Sequence, residues 1–134
     1  MKQEYIIGDV VMYDNKIMII KEPRDGIHFD LSCLEEKLVY CCVGVEDINP
    51  MPLTSEILEK NGFEVRVSRV YYTKLIGYAN FSQIYIAIER KRNDWAVFIR
   101  YKKMPDSVLL RHIQYIHELQ HILWALGLDA ELKI

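Results

Sequence analysis

The sequence predicts an α+β protein, with a small N-terminal SH3-like β-barrel followed by an antiparallel sheet covered by a long C-terminal helix. Three observations carry that expectation. The first 50 residues hold four or five short apolar segments separated by turn residues. Residues 64–72, 83–90 and 95–101 alternate apolar and polar side chains with the period of two that a half-buried strand requires. Residues 106–126 carry Leu109, Ile113, Ile116, Leu119, Leu123 and Leu126 at helical spacing and stop at Gly127.

Residues 9–13 and 16–21 read as a hairpin, because Asp14-Asn15 between them are residue types that tolerate positive φ in a two-residue turn. Pro23-Arg24-Asp25-Gly26 gives a second turn signal, and residues 27–31 and 38–43 follow as further strands. Residues 49–63 then encode a short helix with its entry and exit. Pro50 and Pro52 keep the entry extended. Thr54 is the expected N-cap of a helix over 54–61, with Leu53 and Leu58 as a hydrophobic staple. Asn61-Gly62 ends the helix, with Gly62 in the left-handed conformation. The strands over 83–90 and 95–101 join near Arg92-Asn93-Asp94, Pro105-Asp106-Ser107 opens the long helix, and residues 131–134 read as an edge strand. Residues 1–50 are expected to form the barrel-like unit and residues 51–134 the helix, sheet and C-terminal helix, packed as one compact body with the first.

A chain of 134 residues can bury a core without disulfide or metal staples. Its 51% hydrophobic and 27% charged residues describe a globular and not a disordered protein. The N-terminus lacks the apolar core of a secretory signal, and no apolar run approaches the roughly 18–20 residues that span a membrane. A cytoplasmic location with no membrane association is therefore expected. The three cysteines, Cys33, Cys41 and Cys42, read as reduced and mostly buried thiols. Adjacent cysteines of a strand point to opposite faces and rarely pair with each other, and Cys33 with Cys41-Cys42 forms no metal-type C-x-x-C pair.

Charge is unevenly spread. Residues 1–67 carry 7 basic and 13 acidic groups, a net charge of −6, whereas residues 68–134 carry 10 and 6, a net charge of +4. The basic excess gathers in residues 89–103, where aromatic side chains are interleaved with it. Arg90, Arg92, Arg100 and Lys102 are candidate phosphate partners, and Tyr85, Trp95 and Tyr101 are candidate stacking surfaces for a base. Together they form a candidate site for an anionic ligand, a nucleotide immune signal or nucleic acid. The overall charge of −2 argues against broad affinity for nucleic acid.

His117-Glu118-Leu119-Gln120-His121 matches the short zinc-protease pattern, in which two histidines four apart bind the metal and the glutamate between them activates water. A zinc-dependent hydrolase using His117 and His121 as ligands and Glu118 as base is one alternative. Against it, a catalytic zinc needs a third protein ligand. The position six residues beyond His121, where the longer motif has histidine, is Gly127, and the position three beyond, where it has glycine, is Trp124. The helical wheel places both histidines at the border of the apolar stripe, which suits packing without a cofactor. No G-x-S-x-G, phosphate-binding glycine loop or dinucleotide fingerprint occurs.

Three strings carry a family likeness. Residues 8–13 (GDVVMY), residues 47–63 (DINPMPLTSEILEKNGF, without a fixed residue at Ser55) and residues 115–121 (YIHELQH) resemble a family of short uncharacterised proteins of phages and integrated mobile elements in gut Bacteroidales-type bacteria. The resemblance leaves out residues 64–104. It implies a setting and no activity. The expected function is accordingly that of a non-enzymatic binding or interaction protein of a phage or mobile element. Its partner would be a host protein or a small anionic molecule, its catalytic residues none, and its oligomeric state, homo-oligomer included, is left open.

Overall fold

The computed structural model describes residues 4–67, 70–79, 82–102 and 107–134. It corrects the expected fold class. Ten strands form two five-stranded antiparallel sheets, and the described residues contain two short α-helices in place of a long C-terminal one. The chain divides into two compact units. One comprises Met1–Pro52 and Tyr115–Ala125, the other Leu53–Gln114 and Leu126–Ile134.

The first unit holds β1 (Val10–Tyr13), β2 (Lys16–Pro23), β3 (His28–Cys33), β4 (Val39–Gly44) and β5 (Asn49–Pro50), in the order β4-β3-β2-β1-β5. That order leaves β4 and β5 as two edges, so the sheet is open and is not the expected SH3-like barrel. Asp14 and Asn15 take φ of 51° and 59° between the paired residues Tyr13 and Lys16, the two-residue turn their side chains favour. The core of the unit is Tyr5, Val11, Met18, Ile20, Phe29, Leu31, Cys33, Val43 and Ile48. α2 (Ile116–Ala125) belongs to this unit and makes its contacts with β1.

The second unit holds α1 (Ser55–Lys60) and β6 (Glu64–Val67), β7 (Tyr71–Ala79), β8 (Ser82–Arg90), β9 (Trp95–Tyr101) and β10 (Ser107–Ile113), with the sheet order β10-β9-β8-β7-β6. Thr54 caps α1 as its sequence requires, its Oγ1 accepting from Ile57 N at 3.3 Å. The exit is a Schellman motif: Phe63 N–H donates to Leu58 O at 3.0 Å and Gly62 N–H to Glu59 O at 3.2 Å, with Gly62 at φ 84°. Tyr72, Ile86, Ile88 and Val97 form the buried face of this sheet. Lys74 on the same face reaches the Asn61 carbonyl at 2.8 Å and lies over the Phe63 ring, which sets α1 on that side.

Three expected elements are redrawn. Residues 64–72 are not one strand, because β6 and β7 pair antiparallel and Glu64 lies opposite Thr73. Residues 107–113 of the expected helix are the edge strand β10, and Ser107 pairs with Arg100. Its register shifts between Leu109 and Arg111, so an extra residue, Leu110, interrupts the alternation and imitates helical spacing. The beginning of that expected helix at Pro105-Asp106 lies outside the described residues. Residues 131–134 form no strand. Asn61 holds them instead, its Oδ1 accepting from Lys133 N at 2.8 Å and its Nδ2 donating to Lys133 O at 2.9 Å.

Candidate functional site

Glu118, Gln120 and His121 of the zinc-like string each have a hydrogen-bond partner within the fold. Tyr115 precedes α2, and Glu118 three residues on reaches back, its Oε1 accepting from Tyr115 N at 3.1 Å. This is the return half of a capping box, and it occupies the carboxylate that would serve as general base. Gln120 is buried and grips β1 at both ends of its amide: Oε1 accepts from Val10 N at 2.8 Å and Nε2 donates to Gly8 O at 2.9 Å. His121 Nε2 meets the carboxylate of Asp9 at 2.8 and 3.0 Å. Burial pushes the Asp9 carboxyl above its ordinary range, against the lowering effect of the Ile6 N–H and of His121. His117 is not at the border of the apolar stripe as expected. Only 1% of it is exposed, and its ring stacks on Tyr115 at 5.9 Å and meets Tyr5 at 5.1 Å. The string is therefore a docking face for β1. Among the described residues no group of three or more His, Cys, Asp or Glu converges on one point.

The basic, aromatic set of residues 85–102 is divided by the sheet. Antiparallel pairing puts Tyr85 opposite Arg100, and Lys102 N donates to Gln83 O at 2.9 Å, so Tyr85, Arg100 and Lys102 gather near one end. Trp95 pairs with Arg90 at the other end. Trp95 is 5% exposed, its ring against Tyr72 on the buried face, with the Arg90 guanidinium 5.4 Å from its centre. It is a core side chain and offers no stacking surface. Arg92 lies exposed in the β8–β9 turn, and Tyr101 is half-buried at the end of β9 beside neither Arg90 nor Arg92.

Arg66, Tyr71, Thr73, Tyr85, Arg100 and Lys102 line a cavity of about 280 Å³ on the second unit. Four adjacent strands supply them. Tyr71, Thr73, Tyr85 and Arg100 share the face opposite Tyr72 by alternation. Arg66 shares that face by alternation from Glu64, which lies opposite Thr73, and its Nε donates to Thr73 Oγ1 at 2.8 Å. Arg100 Nη1 donates to Tyr71 Oη at 3.1 Å, and Tyr85 Oη donates to Gln83 Oε1 at 2.8 Å. Glu64 pairs with Arg66 at 3.1 Å from outside the lining. Sequence reading finds Tyr85, Arg100 and Lys102 and misses Arg66, Tyr71 and Thr73. The signal for those three was the reversal of the chain within residues 64–72, and no Gly, Pro or Asn marks it.

No helix among the described residues is long and apolar enough to cross a membrane. Comparison of the chain with protein-family models, with curated proteins and with solved structures finds no match.

Proposed function

We propose that the protein is a binding protein for a nucleotide-like anion, taken into the cavity on the second unit's sheet. The observation that carries this reading is the convergence of Arg66, Arg100 and Lys102 with Tyr71 and Tyr85 around one hollow whose described lining includes no acid. Guanidinium groups pair phosphate oxygens through two parallel hydrogen bonds, and tyrosine faces stack on planar bases without demanding a sequence. A cavity of about 280 Å³ lies at the small end of ligand sites, which favours one phosphate and one ring over an extended polymer. Titration of the protein with nucleoside mono- and diphosphates by calorimetry, at two salt concentrations, tests it. Arg100→Ala is expected to weaken binding by about 2 kcal/mol, the typical value of a charge-assisted hydrogen bond. Wild-type affinity in both Arg100→Ala and Tyr85→Ala removes the site.

A second reading has its own observation. β10 is an edge strand with Val108 57%, Leu109 49% and Leu110 38% exposed, an open ladder that an extended peptide of a protein partner would complete. Slowed amide exchange along β10 in the presence of such a partner supports it, and unchanged exchange there excludes it.

A further inference from the structure

The adjacent cysteines are neither buried nor on opposite faces. In β4, Tyr40 lies opposite Leu31 and Val43 opposite Phe29, and the register shifts between them, so two residues, Cys41 and Cys42, face the single residue Asp30. Tyr40 packs against the core and Val43 belongs to it. Two inward residues three positions apart leave both cysteines outside, and both are exposed free thiols. Cys42 absorbs the extra residue by taking φ of 54°, the left-handed region that a side chain rarely enters. The conformation is held rather than incidental. Asp30, 5% exposed, accepts from Cys42 N at 3.0 Å and pairs with Arg24, and β4 is an open edge of its sheet. The two thiols thus sit together on an accessible rim, in a backbone shape maintained by a buried carboxylate.

We propose that Cys41 and Cys42 form a two-thiolate site for a single soft monovalent cation of the copper(I) class. Thiolates select soft ions. Zinc in structural sites takes four protein ligands, and among the described residues no third His, Cys, Asp or Glu joins this pair. Copper(I) is satisfied by two sulfurs. Distance decides between a bridging ion and a direct bond. Neighbouring α-carbons stand about 3.8 Å apart, shorter than the roughly 4.4–6.8 Å that a disulfide spans, so direct closure is strained. Metal–sulfur bonds of about 2.3 Å let the sulfurs remain roughly 4 Å apart. Binding exchanges two thiol protons for the ion, with no change in oxidation state: two S–H bonds break, two S–Cu bonds form and two protons leave to solvent. Affinity therefore rises with pH.

The experiment is an anaerobic titration of the full chain with copper(I) against a chromogenic copper(I) chelator, with mass spectrometry of the product. One ion per monomeric chain is expected. Cys41→Ser and Cys42→Ser should each weaken retention about a hundredfold, the low end of what a second tethered contact contributes. Cys33→Ser, which alters a thiol only 6% exposed in the core, should leave it unchanged. Both rim variants keep the side-chain volume at an exposed edge, and circular dichroism confirms their fold. Undiminished binding in either rim variant, one ion per two chains, or failure to hold copper(I) against the chelator each overturns the proposal.

Discussion

In the first unit Gln120 and His121 of α2 end on one strand entry, Gln120 on Gly8 and Val10 and His121 on Asp9, while Glu118 ends on its own helix start. In the second unit Arg66, Arg100 and Lys102 end around a hollow open to solvent. The string that looked most chemical in the sequence is consumed by docking, while the residues that line the hollow come from four successive strands. The difference follows from burial. A buried amide or carboxylate has to be matched within the fold, at a cost of about 1–3 kcal/mol if it is not, whereas an exposed guanidinium carries no such obligation. A motif's residue types therefore say less about its role than the accessibility of its polar atoms.

The largest effect expected is on that docking. Gln120→Leu keeps most of the side-chain volume but strands Val10 N–H and Gly8 C=O, and should lower unfolding stability by about 3 kcal/mol in urea denaturation. A loss below about 1 kcal/mol would mean that α2 is not held by these bonds. Tyr5, packed against His117 in the same region, gives a pH-dependent counterpart. Its hydroxyl is pushed up from 10.0 to about 12, by burial first and then by Asp9 and Tyr115. A folded-state value above the unfolded one means the folded form holds the proton more tightly. The stabilisation is complete below pH 10 and is lost as pH rises through 12. That rise corresponds to about 2.7 kcal/mol, so Tyr5→Phe should lack that much of the wild-type decline between those limits. If the variant declines as steeply as wild type, the burial of the phenol is not what links the region to pH.

The helix-capping and turn chemistry was legible in the sequence because it is local. Thr54, Gly62 and the Asp14-Asn15 pair act within a few residues of themselves, and each does in the structure what its residue type suggests. What was not legible has one physical cause. A β-bulge adds a residue to a strand, and the period of two then fails just where the bulge re-aims a side chain. Leu110 made β10 resemble a helix, and Cys41 and Cys42 were put on one side. Each depends on a partner strand that the sequence does not place opposite it. The candidate site was half visible: Tyr85 and Arg100 are cross-strand neighbours in a regular hairpin, whereas Arg66 and Tyr71 belong to strands whose reversal no turn residue marks.

The sharpest separation of the cavity from the basic hairpin as a whole uses two arginines of that hairpin. Arg100→Ala is expected to weaken nucleotide binding by about 2 kcal/mol without changing stability by more than about 0.5 kcal/mol, since its partner Tyr71 is itself half-buried. Arg92 carries the same charge in the same hairpin, but the row that pairs Arg90 with Trp95 is five residues along the strand from the row that pairs Tyr85 with Arg100. At about 3.3 Å per residue that is about 17 Å, twice the screening length of about 8 Å at physiological salt. Arg92→Ala should therefore change affinity less than about twofold at physiological salt. A comparable loss from both substitutions would show that the ligand reads the charge of the hairpin at a distance, and the cavity lining would no longer locate the site.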